Sequence, residues 1–425
     1  MPDTALAAAI FAVTYAVIVS ERVHKTTAAL VGAVIMIGTQ ILDQEQAFEF
    51  IDLNVIFLLA GMMMIVNVLG KTGIFQWLAI RSAKVGRGEP LRILLVLSLV
   101  TAVASAFLDN VTTVVLIAPV TLFVAGSLRV SAVPFLISEA LASNIGGAAT
   151  LIGDPPNILI GSAADLDFLD FLVNMGPIVI IVLLLYLLAA RFLFFRGVTP
   201  EPEQRQRIME LDESQVITDP ALLRTSLAVL GLTMVGFVLH GPLGYEPASV
   251  ALMGASLLLL VTRQDPHDVL RDVEWPTLFF FIGLFIVVGG IEEVGILEEI
   301  GERIADATEG NQMEATFLVL WVSAFLSGIV DNIPYTAAMI PVVREINSGF
   351  GQGESENVLW WALALGADLG GNLTIIAASA NVLVANLAER GGERIRFWEF
   401  FRYGSLVTVG TTLVATLYLW LRYLM

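Results

Sequence analysis

The chain has 425 residues; 57% are hydrophobic, only 15% are charged, and the mean hydropathy is +0.82. A soluble protein of this length needs far more polar surface to cover its core, so the composition reads as a polytopic membrane protein. The lack of cysteine excludes disulfides and thiolate metal sites, and a net charge of -18 leaves no basic patch to neutralise the phosphates of a nucleic-acid partner.

In chain order, apolar runs long enough to cross hydrocarbon lie at 4–20, 26–42 and 52–70. The first has no basic leading region and no cleavage site, so it reads as a span and not as a signal peptide. Two apolar arms around Asp109-Asn110 over 91–127 predict a re-entrant hairpin. A broken span near 132–164 and a run at 176–195 follow. The polar stretch 198–220 reads as a cytoplasmic linker. Runs then recur at 222–240, 246–262 and 275–290, with a hairpin over 315–349, a broken span near 358–388 and a last run at 399–421. This makes ten crossings and two hairpins; the alternative count turns each hairpin into two full spans. His24, His240 and His267 all fall at predicted span ends, where an interfacial residue is the ordinary reading.

The second series repeats the first. AALVG at 28–32 resembles VALMG at 250–254, IDLNVIFLLAG at 51–61 matches VEWPTLFFFIG at 273–283, and FLDNVTTVVLIAPV at 107–120 matches IVDNIPYTAAMIPV at 329–342, all at an offset of 222. SNIGGAATLIGDPPN at 143–157 then matches the stretch from 367 at an offset of 224, which sets Asn144 against Asp368, Thr150 against Thr374 and Asn157 against Asn381. Four matches in order mean an internal duplication. Residues 71–92 hold five Lys or Arg and one acid, whereas the equivalent 292–314 hold eight acids and one Arg. By the positive-inside rule the two copies are inserted in opposite directions. The expected fold is all-α: repeat 1 over 1–197, the linker over 198–220 and an inverted repeat 2 over 221–425, with both termini outside.

Helix breakers at bilayer depth survive only where protein buries them or water reaches them. Inverted-repeat transporters use such half-helix ends to hold substrate and coupling ions. Gly146-Gly147 and Gly370-Gly371 permit close backbone approach, and Pro155-Pro156 interrupts the helix ladder. The candidate substrate-binding residues are Asn110, Thr112, Thr113, Asn332, Gly146, Gly147, Asn157, Gly370, Gly371 and Asn381. The candidate coupling-ion residues are Asp109, Asn110, Asn144, Thr150, Asp154, Asp331, Asn332, Asp368, Asn372 and Thr374, with Na⁺ held by their oxygens. No Lys or Arg lies in these breaks, and a carboxylate at helix centre costs roughly 2.5–3.5 kcal/mol even on the lenient scale. The carboxylates must bind a cation, take up a proton or accept N–H bonds from half-helix ends. Any single Asp, Asn or Gly here has capping or packing as its ordinary alternative. Glu139 has no acidic counterpart in the second copy and reads equally as an interfacial acid. Asn110-Val-Thr112 and Asn372-Leu-Thr374 fit the glycosylation pattern, but their depth excludes it.

The motifs FLDNVTTVVLIAPV and NIGGAATLIGDPPN resemble the ion transporter superfamily of arsenite permeases, Na⁺/H⁺ antiporters and citrate or dicarboxylate carriers, nearest to the branch of the melanosomal P protein. The resemblance covers essentially the whole chain. It implies a scaffold, a mobile transport unit with elevator-like alternating access, and a homodimer. In the carboxylate carriers a Ser-Asn-Thr hairpin tip binds substrate and flanks sodium; here the tips read Asp109-Asn110-Val111-Thr112 and Asp331-Asn332-Ile333-Pro334, so an Asp replaces the Ser.

The expected function is therefore secondary active transport of a small anion or oxyacid across the plasma (inner) membrane, coupled to Na⁺ or H⁺ and using no other cofactor. Arsenite is one candidate; without cysteine it would travel as the neutral hydroxide. A Na⁺/H⁺ antiporter is the alternative and a passive anion channel the third reading. No nucleophile–base set, metal cluster or phosphate loop points to an enzyme.

Overall fold

A computed structural model describes residues 2–20, 22–194, 201–308, 310–350 and 357–425. The described residues are helical, with no strand. The first half runs through α1 (Pro2–Ser20), α2 (Lys25–Gly38), α3 (Gln44–Glu49), α4 (Leu53–Gly70) and α5 (Ile74–Val85). The arms α6 (Pro90–Ser105) and α7 (Asn110–Leu128) form a hairpin, and α8 (Val133–Gly147) and α9 (Pro155–Ala163) are the halves of a broken helix. α10 (Phe168–Asn174) and α11 (Gly176–Leu193) close the half. α12 (Pro202–Glu210) belongs to the linker. The second half has α13 (Pro220–Leu243), α14 (Pro247–Thr262), α15 (Pro266–Arg271), α16 (Trp275–Glu293) and α17 (Ile296–Ala307). Its hairpin is α18 (Gln312–Ser327) and α19 (Asn332–Ser348), its broken helix α20 (Val358–Gly370) and α21 (Ser379–Arg390), and its last helix α22 (Phe397–Leu419).

Proline starts many of these helices, including α6, α9, α13, α14 and α15, because its missing N–H costs nothing in a first turn. Pro155-Pro156 thus opens α9, and the break itself spans 148–154.

Packing repeats across the halves. α4 lies on α14 as α2 lies on α16; α6 packs on α8 as α18 packs on α20; α7 lies beside α21 as α19 lies beside α9. Close approaches match too. A Cβ on Gly61 would meet the Ala251 backbone at 2.8 Å, and one on Gly283 the Ala29 backbone at 2.7 Å. One group of helices, α1, α2, α4, α13, α14 and α16, therefore forms a frame beside the hairpins and broken helices.

Among the described residues, seven helices are long and apolar enough to cross a membrane: those beginning near Asp3, Leu53, Asn110, Gly176, Pro220, Trp275 and Phe397. The expected spans at 26–42 and 246–262 are shorter than a crossing: α2 has 14 residues and α14 has 16. At 1.5 Å per residue they rise about 21–24 Å, less than the ~30 Å of hydrocarbon. α7 is long enough, yet it begins in the interior: Asn110 and Asn332 are buried, and the N-terminal ends of α7 and α19 converge on Asp154. Exposed apolar side chains such as Leu184, Leu188, Leu232, Val235, Leu260 and Leu413 form the outer surface, as lipid requires.

The boundary drawn at 197–198 lies outside the described residues. The rest of the linker is docked: Thr218 donates N–H to Thr72 O (3.0 Å), Lys84 Nζ donates to Leu211 O (2.8 Å), and Glu213 takes both Lys84 and Arg81. The bond from Lys84 holds the Glu213 carboxyl below its usual range, and Ser214 does the same for Asp212. A depressed folded value means the clamp is intact above the ordinary carboxylate range, about 4.3, and is lost as pH falls through the lower folded value. Trypsin cleavage at Arg205 or Arg207 is expected to accelerate in Glu213→Gln at neutral pH, and an unchanged rate would mean the clamp does not hold the linker.

Candidate functional site: a buried acid cluster where hairpin tips and helix breaks meet

The two hairpin tips converge on one carboxylate. Asp154, at the start of α9, accepts Asn110 Nδ2 at 2.7 Å from the first tip and Asn332 Nδ2 at 3.2 Å from the second. Both oxygens are thereby used, and the residue has no exposure to solvent. Asp154 has no acidic counterpart across the repeat: Ala378 stands at the equivalent place. Asp368 on α20 is Asp154's neighbour, equally buried, and neither of its oxygens has a hydrogen-bond partner. No basic side chain among the described residues pairs with either acid.

Around these acids the breaks are braced by amides. Asn381 Nδ2 holds the carbonyls of Gly371 (2.7 Å) and Thr374 (2.9 Å); Asn157 Nδ2 holds those of Gly147 (3.4 Å) and Thr150 (3.0 Å). Asn144 Nδ2 reaches Gly371 O, Asn372 Oδ1 and Asn381 Oδ1. The broken helices of both halves are thus braced and joined through Asn144, Asn157, Gly371 and Asn381, all candidates in the sequence.

Several of those residues have a structural duty instead. Gly146 and Gly370 face neighbouring helices, where a Cβ would meet Ala102 O at 2.0 Å and Ala324 O at 2.6 Å. Thr150 Oγ1 donates to Ala106 O and Thr374 Oγ1 to Gly328 O, tying each break to its own hairpin. Asp109 caps α7, accepting Thr112 N at 2.8 Å and the Thr112 hydroxyl. Thr113 is buried and its hydroxyl unpartnered. Glu139 is not interfacial: it is fully buried between α7 and α8, takes Thr121 Oγ1 at 2.6 Å, and leaves Oε2 unpartnered. His240 is buried against Tyr245 O (2.8 Å).

The largest departure from expectation is a cation. Asp331 caps α19 through Ile333 N, and its other oxygen pairs with Lys25 Nζ at 2.8 Å; Lys25 also donates to Ser379 Oγ at 2.6 Å and lies over the Phe280 ring. Tyr15 of α1 donates to Pro334 O at 2.8 Å. No Lys is in the breaks themselves, but the short α2 brings one to the tip. The available signal was a charged residue opening an unusually short apolar run, with Pro247 at the matching place in the second half.

Two adjoining cavities, of about 500 and 300 Å³, share His24, Lys25, Val111, Glu274 and Ser379; the larger adds Asp331 and Asn386, the smaller Asp109 and Pro155. The tips therefore stand level with the ends of the frame helices at Lys25 and Glu274. At the opposite ends, near Asn54 and Glu246, the frame meets the far end of α9 at Gly161 and Ser162.

A helical membrane chain with interrupted helices meeting over unpaired carboxyl groups belongs to the class of membrane transporters. Residues 15–366 match the citrate transporter family model, and the chain belongs to that family. It is 48% identical over 422 residues to an uncharacterized transporter of Mycobacterium tuberculosis, covering 98% of each chain. The P protein of Homo sapiens is 34% identical over 502 residues, covering 97% of this chain and 59% of that protein. Among solved structures, the YdaH transporter of Alcanivorax borkumensis aligns with a TM-score of 0.63 at 14% identity over 99% of this chain and 98% of its own, and shares the fold.

Proposed function

We propose that the chain is a cation-coupled secondary transporter of a small, weakly charged solute, with H⁺ or Na⁺ as the coupling ion. The observation that carries this reading is the neighbouring pair Asp154 and Asp368, both without exposure and without a basic partner. Two buried carboxylates close enough to feel each other's charge favour a bound cation, or a proton on one of them, over full ionisation. Asp154 also holds both hairpin tips, so the charge state of its neighbour Asp368 is linked to how the tips close. Linkage of that kind is what coupling requires.

The cavities are the solute's place, and their charge restricts it. Lys25 faces Asp109, Glu274 and Asp331, so a multiply charged anion such as citrate meets more repulsion than attraction. A neutral oxyacid, arsenous acid being one, fits better. Alternating access follows if the hairpins and broken helices slide against the frame α1, α2, α4, α13, α14 and α16. Because 71–92 carries the positive charge, the frame end at Lys25 and Glu274 is assigned to the cytoplasm, both termini to the outside, and the cavities to an inward-facing state.

Liposomes with imposed Na⁺ or H⁺ gradients and a panel including arsenite and citrate test the proposal. Accumulation driven by one gradient is expected; flux indifferent to both would refute it. The excess of carboxylates in the cavities favours a Na⁺/H⁺ antiporter as the second reading, seen as Na⁺-driven alkalinisation or acidification with no solute present.

The Lys25–Asp331 pair joins frame to tip, which yields a separate prediction. The natural absence of cysteine lets Asn386→Cys report cavity access directly. With Lys25→Met added, labelling by an impermeant maleimide from the cytoplasmic side is expected to fall about tenfold, the size of a 1.4 kcal/mol shift between states. Equal labelling would mean the pair does not favour the open cavity.

A further inference from the structure

We infer that the chain has one built monovalent-cation site, formed by Asp368 and Asn157, and that its repeat-related counterpart is permanently filled by the Asn144 side-chain amide. The inference rests on the cation-coupled reading and says which group takes the ion and how many such sites there are.

The two halves build the same cage. In the second half, Asn381 turns its Nδ2 to the carbonyls of Gly371 and Thr374 and leaves Oδ1 facing inward. Asn144 Nδ2 sits against that oxygen at 3.1 Å, with Asn372 Oδ1 at 3.1 Å and Gly371 O at 3.3 Å. One NH₂ group thus lies among three oxygens, its two hydrogens serving the amide oxygens of Asn372 and Asn381 while Gly371 O also accepts from Asn381.

In the first half, Asn157 turns its Nδ2 to the carbonyls of Gly147 and Thr150 in the same way, and its Oδ1 has no donor. Reversing the amide would set its oxygen against two carbonyls, so the orientation is fixed by its neighbours. The residue that corresponds to Asn144 is Asp368, which lies beside Asn157. Where the other cage has a donor, this one has a carboxylate. Three buried acceptor atoms, Asp368 Oδ1, Asp368 Oδ2 and Asn157 Oδ1, are left without any partner. Buried acceptors without a donor are costly, above all on a carboxylate, so a cage of this composition calls for a cation. A single positive charge placed where the other cage holds its NH₂ satisfies all three. One carboxylate balances one unit of charge, which selects a monovalent ion; the oxygens of neighbouring Asp154 are already taken by Asn110 and Asn332.

The substitutions that test this are isosteric. Asp368→Asn supplies to the first cage the amide that Asn144 supplies to the second, and Asn144→Asp opens the second cage. The full chain in lipid nanodiscs is titrated with radioactive Na⁺ against a choline background, and proton uptake is followed on acidification in weak buffer without Na⁺. The wild type is expected to take one cation in one of the two arms, Asp368→Asn one fewer and Asn144→Asp one more in that same arm. The arm that responds distinguishes Na⁺ from H⁺. Asp368→Ser, which removes the charge without adding an amide, is expected to match Asp368→Asn and serves if the latter does not fold.

Wild-type occupancy in both arms after Asp368 is replaced, or no gain in a folded Asn144→Asp, would overturn the inference. Cation-driven transport that persists in Asp368→Asn with its ion dependence intact would also overturn it while leaving cation coupling standing. Flux in the wild type that ignores every cation gradient would instead remove the transport reading itself.

Discussion

Asp154→Asn is expected to lower gradient-driven transport by about a hundredfold or more while the protein still folds and inserts. Asp154 is the common acceptor for both tips, at 2.7 Å from Asn110 and 3.2 Å from Asn332. A hydrogen bond to a charged acceptor is worth about 1.5–3 kcal/mol, against about 0.5–1.5 for a neutral one. Asparagine at 154 loses the charge from both bonds. It also offers only one oxygen, so its NH₂ must face the amide NH₂ of one tip and release it. A loss near 1.4 kcal/mol at each tip compounds to two factors of ten. Initial uptake into liposomes measures the effect, and retention of more than about a tenth of wild-type flux would mean the tips close without this carboxylate. Asp109→Asn is expected to be far milder, because Asp109 caps its own helix, and exchange among good caps costs little. Equal damage at 109 and 154 would contradict the distinction drawn between a cap and a bridge.

Gly146→Ala is expected to be the most destabilising of the glycine substitutions in the broken helices. Its Cβ would sit 2.0 Å from Ala102 O and 2.5 Å from Ala102 Cα, both backbone atoms that cannot rotate away. α8 must then lift from α6, and overpacking of this kind costs about 1–3 kcal/mol or more. Displacing α8 also moves Asn144 away from its three oxygens, so stability and transport fail together. Gly370→Ala, at 2.6 Å from Ala324 O, is expected to be less severe, and Gly126→Ala, which meets nothing within 4 Å, to be neutral or stabilising. Thermal inactivation in detergent ranks the three; Gly126→Ala as damaging as Gly146→Ala would refute the packing argument.

Much of the fold was legible because its signals are local. Apolar runs, the Asp-Asn tips and the Gly-Gly and Pro-Pro interruptions occur in one stretch of chain each, and the offsets of 222 and 224 pair the α-helices of the two halves correctly. Asn110, Asn332 and Gly371, all named as candidates from the sequence, join one hydrogen-bond network in the structure through Asp154 and Asn144. Less legible was which of several similar residues does what. Asp109, Asp154, Asp331 and Asp368 read alike as carboxylates near breaks, yet one caps a helix, one bridges two tips, one is paired with a lysine and one has no partner at all. Sequence spacing cannot separate these because the deciding neighbour is on another element in each case except the cap. Helix length differs for another reason: an apolar run marks what lipid or protein tolerates, whereas α2 stops at Gly38 and the chain restarts at the Asp43 capping box of α3.

By itself the sequence determined a duplicated, all-helical membrane chain with a breaker in the middle of each half, since hydrophobic run length and turn chemistry act over a few residues. Only the tertiary structure decided that Lys25 meets Asp331 across 306 residues and that Asn332 reaches Asp154 across 178. Those contacts depend on how two interlocked halves are set against each other, and that relation is a property of packed helices rather than of any segment.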